Sequence, residues 1–374
     1  MSRKPSVINL FRAYHGAAGA AVPGEGAGLR LAYVVSAGLG PITLAARART
    51  GRPGHESLTS ADLTARVIYE QMKRATAELL ELAQDAGIEP VLLKGMSIAD
   101  ELYRPPHHRI MGDIDVLVPP DRAQELYERL MSSGYARRSD GAATAEGHHH
   151  LPELRHPELG VSVEIHTGLS SRPFLAGDPL LRPELYWQEA RPSSFSGRAC
   201  RRFSAEYQIV HTLMHWAVDY KWTVNVISIN DFIHLMNRAE PPPDWRRLAG
   251  WMHQSPRFAD VFTVLALYLE ECGLLRTPDA LAAPVLASRR RLGALNLRIL
   301  HWLLRTFPLS GRRKVGWVLT PANTRIVWLT LLEPRHKTLR PLVALSRVLF
   351  RRTRGKSLLG SVAGRIRTLL QPNA

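Results

Sequence analysis

The stretch that decides the fold is LLKGMSIADELYRPPHHRIMGDIDVLV, residues 92–118. It ends in two aspartates that alternate with isoleucine and valine. In a β-strand successive side chains point to opposite faces, so Asp113 and Asp115 share one face, about 6.5–7 Å apart at the backbone. Ile114 and Val116 then point toward a core. Two carboxylates on one face of an apolar strand repel each other and lose hydration, so the pattern indicates a cation site.

A second strand is predicted in GVSVEIHTGL, residues 160–169, with Glu164 on its polar face. If this strand lies beside the first, Glu164 adds a third carboxylate. Mg²⁺ prefers oxygen ligands, and two such ions can hold the attacking and leaving oxygens of a phosphoryl transfer. We therefore predict that Asp113, Asp115 and Glu164 are catalytic and bind Mg²⁺, two ions in all, with Mn²⁺ as the alternative. Glu164 would bind an ion or accept the proton of the attacking hydroxyl.

A phosphate-binding region is predicted upstream of the Asp113 strand. There a short buried strand, EPVLLKG at residues 89–95, turns into the helix MSIADELY at residues 96–103. Backbone N–H groups at the start of a helix bind phosphate readily. Gly95 would allow close approach, Lys94 would add positive charge and Ser97 would donate a hydroxyl. Arg109, four residues before Asp113, and Gly112 complete the predicted set.

Several histidines are candidates for lining the site. Adjacent histidines 148–150 lie in a predicted loop and would bind zinc, contact phosphate or acceptor through a residue such as His149, or simply face solvent. His166 shares the predicted face of Glu164. His215, on a later helix, would either join the helical part to the catalytic part together with Asp231 or contact the substrate.

The order of predicted elements gives an α+β fold. A small mixed β-sheet with flanking helices is followed by a mainly helical C-terminal region. Length favours more than one domain. The predicted parts are a partly irregular lead-in over 1–57, an α/β catalytic domain over 58–200, a helical domain over 201–300 and a basic helical tail over 301–374.

The positive charge of the chain is concentrated at its C-terminal end. Of the net charge of +16, residues 301–374 carry +14, with fifteen Lys or Arg and one acid, Glu333. Such a tail would bind an anionic membrane surface or nucleic acid through residues 335–374, or remain a solvated helix. The two cysteines give no disulfide framework, and no apolar run reaches the length of a spanning helix. We expect no signal peptide and a cytoplasmic protein, peripheral at the inner face of the membrane if the tail binds there.

The segments LLKGMSIADELY, RIMGDIDVLV, SSGYARRSD and GVSVEIHTGL, continued by HTLMHWAVDYKW and NDFIHLM, resemble an uncharacterised bacterial nucleotidyltransferase family of the polymerase-β-like superfamily. The resemblance covers roughly residues 65–290. It implies a metal-dependent enzyme that moves an NMP group from an NTP to an unidentified hydroxyl-type acceptor. Two residues depart from the pattern: Lys94 precedes the glycine of the turn, and Thr167 follows EIH where the family often has an aromatic residue. The alternative is a noncatalytic nucleotide- or nucleic-acid-binding protein that uses the basic tail.

Overall fold

The structure is a computed structural model that describes residues 7–17, 31–138, 149–171, 175–219 and 226–306, with 328, 331–332, 352–353 and 356–357. The helices are α1 Val7–Tyr14, α2 Leu31–Ser36, α3 Gly40–Arg49, α4 Glu56–Asp85, α5 Lys94–Leu102, α6 Pro120–Ser132, α7 Pro183–Glu189, α8 Ala205–Asp219, α9 Val226–Arg238, α10 Trp245–Gln254, α11 Pro256–Glu271, α12 Ala282–Leu292 and α13 Ala294–Thr306. The strands are β1 Val91–Leu92, β2 Asp113–Leu117, β3 Ala136–Arg137, β4 Leu154–Arg155, β5 Ser162–His166, β6 Ala190–Phe195, β7 Arg198–Phe203, β8 Arg352–Thr353 and β9 Lys356–Ser357.

Seven strands form a mixed sheet in the order β3-β4-β5-β2-β1-β7-β6. The central strand β2 pairs parallel with β5 and antiparallel with β1, and β1 pairs parallel with β7. The remaining neighbours are antiparallel. The prediction of an α+β fold with a mixed sheet and a helical C-terminal region is confirmed.

The sheet separates two hydrophobic cores. Ile114, Val116, Val163 and Ile165 point to one side, where they pack with α4 and α6. The opposite side of β2 contributes Leu117 to a larger core that includes α1, α3, α8, α9 and α11. The alternation predicted for β2 and β5 is therefore confirmed. Their polar positions face the helical part of the protein.

The helix ends follow local signals in the sequence. Asp244 caps α10 by accepting hydrogen bonds from the backbone of Arg246 and Arg247, and Ser255 caps α11 in the same way. Glycines 87 and 134 follow α4 and α6 with φ values of 66° and 92°, a conformation that glycine adopts without strain. These stop signals fix the lengths of the two helices that cover the sheet.

The described parts of the predicted N-terminal lead-in are mainly helical. Within residues 1–57, the described parts contain α1, α2 and α3, and Leu10, Phe11, Leu39 and Ile42 are fully buried. Apolar burial on this scale makes the segment part of the larger core.

The predicted basic helical tail lies mostly outside the described residues. Within 301–374, residues up to Thr306 belong to α13, and Arg352–Thr353 pairs with Lys356–Ser357 as a short antiparallel ladder. Among the described helices, none combines the length and the apolar character needed to cross a membrane.

Candidate active site

The three predicted acidic residues meet on one face of the sheet. In the parallel pairing of β2 with β5, Asp115 lies opposite Glu164, and Asp113 lies opposite Ser162. Asp115 is 4% exposed, whereas Asp113 and Glu164 are half-buried. The expectation that the second strand lies beside the first is confirmed, so the carboxylates come together because of strand register.

Two basic side chains hold this acidic cluster. His166 places Nε2 2.7 Å from Oδ1 of Asp115 and 3.5 Å from Oε2 of Glu164. The ammonium of Lys94 lies 3.3 Å from the same Asp115 oxygen. One donor atom each from Asp115, Glu164 and His166 lie within 4.8 Å of one another, close enough to share one metal ion. His166 is therefore a further candidate ligand beside the carboxylates that the sequence predicted.

The electrostatics of the cluster are uneven. The negative charge of Asp115, together with burial and Glu164, raises the pKa of Asp113 to about 7. Burial acts to raise the pKa of Asp115, but Lys94 and the hydrogen bond from His166 hold it well below its usual range. The hydrogen bond from His166 also lowers the pKa of Glu164. The cluster thus contains more negative charge than its own basic groups balance.

The turn before α5 approaches the cluster closely. Lys94 begins the helix with a φ of 38°, an unusual conformation for a residue other than glycine. A Cβ atom at Gly95 would lie 2.9 Å from Nη1 of Arg109 and 3.3 Å from Met111, so this position needs glycine. Such a local departure from relaxed geometry is common at functional sites.

Arg109 is part of an internal ion pair. Its Nε and Nη2 donate hydrogen bonds of 2.8–3.2 Å to the carboxylate of Asp231 on α9. Tyr103 donates to the same carboxylate at 2.7 Å, and Asn230 donates to the Tyr103 hydroxyl at 2.9 Å. All four residues are buried. Arg109 therefore links the segment before β2 to α9, and two of its three nitrogens are used in this ion pair.

A cavity of about 600 Å³ lies over the acidic cluster. One wall comes from the sheet and the start of α5, including Lys94 and Gly95. The other comes from α8 and α9 and includes His211, Thr212 and His215. Ligand pockets typically span ~300–1,000 Å³, so a nucleotide-sized molecule fits this volume.

The three histidines predicted to line the site all reach the cavity. His149, His166 and His215 are part of its wall. His149 lies 3.0 Å from the Ser171 hydroxyl through Nδ1, and its ring centroid is 5.3 Å from that of His166. His148 lies outside the described residues.

The two remaining predicted phosphate ligands, Gly112 and Ser97, differ in whether they line the cavity. Gly112 is exposed on the cavity wall, and a Cβ there would meet no atom within 4 Å. Ser97 is 2% exposed and does not belong to the wall, so its position does not support the predicted phosphate contact. Lys94 and Ile98, one helical turn apart, face the cavity, and Ser97 lies on the buried side of α5.

Sequence reasoning missed the N-terminal contribution to the wall. Ser36, the last residue of α2, lines the cavity together with Ala37 and Gly38, which follow it before α3. Gly38 has a φ of 71°, and a Cβ there would lie 3.4 Å from the Ile110 side chain. A glycine next to small residues before a helix was the available signal, but it did not show which part of the chain it would contact.

The cavity combines a cluster of carboxylates with a volume that a nucleotide-sized molecule fits. A family model described as an uncharacterised nucleotidyltransferase matches residues 35–268, more than half of the chain. The chain belongs to this nucleotidyltransferase family. No curated protein matches it.

Proposed function

We propose that the chain transfers a nucleotidyl group from an NTP to a hydroxyl-type acceptor at the acidic cluster. The observation that carries this proposal is the parallel register that puts Glu164 beside Asp115, with Asp113 on the same cavity-facing side. Membership of the nucleotidyltransferase family supports the kind of reaction.

The chemistry of the side chains fits a divalent cation. Asp113, Asp115 and Glu164 offer oxygen atoms, and His166 offers a ring nitrogen within reach of two of them. A bound cation would offset the carboxylate repulsion and polarise phosphate oxygens. An all-oxygen set suits Mg²⁺ or Mn²⁺, whereas an imidazole ligand favours softer ions. We propose that the carboxylates bind Mg²⁺ or Mn²⁺ and that His166 orients Asp115 by hydrogen bonding.

In this proposal the triphosphate binds at the start of α5. Lys94 contributes positive charge there, and Gly95 and Gly112 let the phosphates approach the backbone. Arg109 acts indirectly by holding the wall through Asp231. The acceptor hydroxyl enters from the side of His149 and His215, and Glu164 is the carboxylate assigned to accept its proton.

The test uses full-length protein, α-labelled NTPs and a cell extract as the source of acceptors. Mass spectrometry of the products would identify both the transferred nucleotide and the acceptor. We expect Asp115→Asn and Glu164→Gln to lower transfer by roughly 10³-fold or more, since each removes a group that acts on the reacting phosphate. Glu70→Gln, at an exposed carboxylate on α4, is the matched control. Mg²⁺-dependent NTP binding and turnover that survive Asp115→Asn unchanged reject the proposal.

The same experiment decides the choice of ion. Activity is measured with Mg²⁺ and with Mn²⁺ for the natural protein and for His166→Gln. If His166 only orients Asp115, the variant loses rate with both ions and keeps their ratio. If the ring nitrogen is a ligand, the ratio shifts toward Mg²⁺ in the variant, which contradicts the orienting role.

A noncatalytic binding function would give a different pattern. In that case Asp115→Asn leaves nucleotide or nucleic acid binding intact, and deletion of residues 335–374 abolishes it. The charge of +14 over residues 301–374 is the feature that favours this alternative.

A further inference from the structure

A second group of metal-ligand side chains lies outside the cavity. Asp62 comes from α4, and His107 and His108 come from the short 3₁₀ turn Pro106–His108. One donor atom from each residue lies within 4.8 Å of the others. All three side chains are buried, and none belongs to the cavity wall. This group is therefore separate from the acidic cluster of the proposed active site.

The separations suit a first-row transition metal. Zinc–ligand bonds of about 2.0–2.1 Å in a tetrahedral arrangement put neighbouring donor atoms roughly 3.3 Å apart. Nε2 of His107 lies 3.1 Å from Oδ1 of Asp62. Two imidazoles and a carboxylate form a donor set that zinc uses in proteins, with the fourth position left to water. The donor atoms of all three residues lie within 4.8 Å of one another, so an ion bound among them would draw the side chains together.

Hydrogen bonds already orient the ligands from behind. A metal-binding histidine typically uses its other ring nitrogen in a hydrogen bond that fixes the ring. Nδ1 of His108 lies 3.1 Å from the hydroxyl of Tyr14 on α1, so the ring is anchored at that nitrogen and can offer Nε2 to an ion. Arg66 donates to Oδ2 of Asp62 at 2.9 Å, while Oδ1 faces His107. The Arg66 contact leaves Oδ1 of Asp62 facing His107, and the Tyr14 contact leaves Nε2 of His108 for an ion.

We infer that Asp62, His107 and His108 form a second metal site, which takes a divalent transition ion of the zinc class. The ion would link α4 to the turn that leads directly into Arg109 and, a few residues on, into β2. Tyr14 extends this link to α1. The bound ion would stabilise the wall of the cavity from the outside. This inference does not depend on the reaction proposed for the cavity.

The experiment measures zinc binding to full-length protein that has been stripped with a chelator. Zinc content after dialysis and competition with a chromophoric chelator give the stoichiometry and the affinity. We expect zinc to bind the natural protein, Asp115→Asn and Glu164→Gln with similar affinity, because these carboxylates lie in the other cluster. His108→Gln and Asp62→Asn should lose this zinc. Tyr14→Phe should weaken binding by only about 10–100-fold, since it removes a supporting hydrogen bond.

Matched controls keep the test decisive. His253→Gln changes an exposed histidine on α10 and should bind zinc like the natural protein. Circular dichroism identifies any variant that fails to fold. Independently of all variants, Co²⁺ added to the stripped natural protein should give the intense visible absorption of a tetrahedral site. Absence of zinc uptake by the natural protein overturns the inference. So does a zinc stoichiometry that a folded His108→Gln variant shares with the natural protein, or zinc uptake that disappears entirely with Glu164→Gln.

Discussion

Two groups of buried charge lie side by side at the cavity, and they differ in how their charges balance. Arg109 and Asp231 form a one-to-one pair with Tyr103 hydrogen-bonded to it. Asp113, Asp115 and Glu164 are three carboxylates on one face of the sheet, with Lys94 and His166 in contact with the cluster. A balanced pair holds parts of the protein together, whereas an excess of negative charge calls for a cation from outside.

The largest effect should come from breaking the balanced pair. Asp231→Asn leaves the Arg109 charge buried without its partner, so we expect a loss of about 3–5 kcal/mol in the free energy of unfolding. Denaturant unfolding measures it, and Glu70→Gln is the control. A variant as stable as the natural protein would show that Arg109 is not held by Asp231.

Removing one charge from the three carboxylates should instead increase the free energy of unfolding. Asp113→Asn relieves the repulsion from Asp115 that raises the pKa of Asp113 to about 7. In metal-free protein at pH 8 we expect unfolding to become harder by on the order of 2 kcal/mol, while nucleotidyl transfer falls. Unfolding in chelator and the transfer assay measure the two effects. Lower stability in chelator would contradict the assignment of surplus charge.

The buried His234, next to Tyr103 of the balanced pair, makes the free energy of unfolding depend on pH. Among the described residues neither ring nitrogen of His234 has a hydrogen-bond partner, and its ring centroid lies 4.2 Å from that of Tyr103. Burial, helped by the positive charges of His15 and Arg238, lowers its pKa to about 2.

The sign of the effect follows from the proton counts. Below pH 6.5 His234 is protonated in the unfolded chain but not in the folded protein. The contribution of His234 to the free energy of unfolding is therefore complete above pH 6.5 and is lost as the pH falls. Between pH 7 and pH 5 the loss is about 2 kcal/mol. We expect His234→Phe to lack this part of the pH dependence in urea unfolding. Identical slopes for the variant and the natural protein would mean that His234 titrates normally.

The smallest effect is expected from removing the positive charge of Lys94 beside the acidic cluster. Lys94 lies 3.3 Å from Asp115, where it would compete with a metal ion bound by the carboxylates. We expect Lys94→Met to tighten Mn²⁺ binding in the absence of nucleotide by about tenfold, or ~1.4 kcal/mol. Calorimetric titration measures this, with Lys73→Met on α4 as the control. Weaker Mn²⁺ binding would indicate that Lys94 helps to shape the site.

Much of the site could be predicted because it depends on strand periodicity. Alternation in DIDVL and SVEIH was enough to place Asp113, Asp115, Glu164 and His166 on one face. The partner of Arg109 could not be predicted in the same way, since Asp231 lies 122 residues away and the pairing depends on how α9 packs. His166 was placed on the correct face, but its reach toward both carboxylates depends on the register between the strands.

The hairpin of β6 and β7 was missed for a local reason. Pro192 and several polar residues hide the strand pattern of residues 190–203. The usable signal was the dipeptide at 196–197: Ser196 and Gly197 have φ values of 49° and 80°, as a two-residue turn between paired strands requires. This hairpin extends the sheet through the parallel pairing of β7 with β1.

The residues Ser36–Gly38 have a practical consequence for dissecting the protein. A fragment started at residue 58, the border suggested by the sequence, would keep Asp113, Asp115 and Glu164 but lose the part of the cavity wall that Ser36–Gly38 form. It would also uncover the apolar surface on which Leu39 and Ile42 rest. Inactivity or aggregation of such a fragment would result from the loss of this wall and of the N-terminal helices. Expression trials should therefore retain α1 to α3.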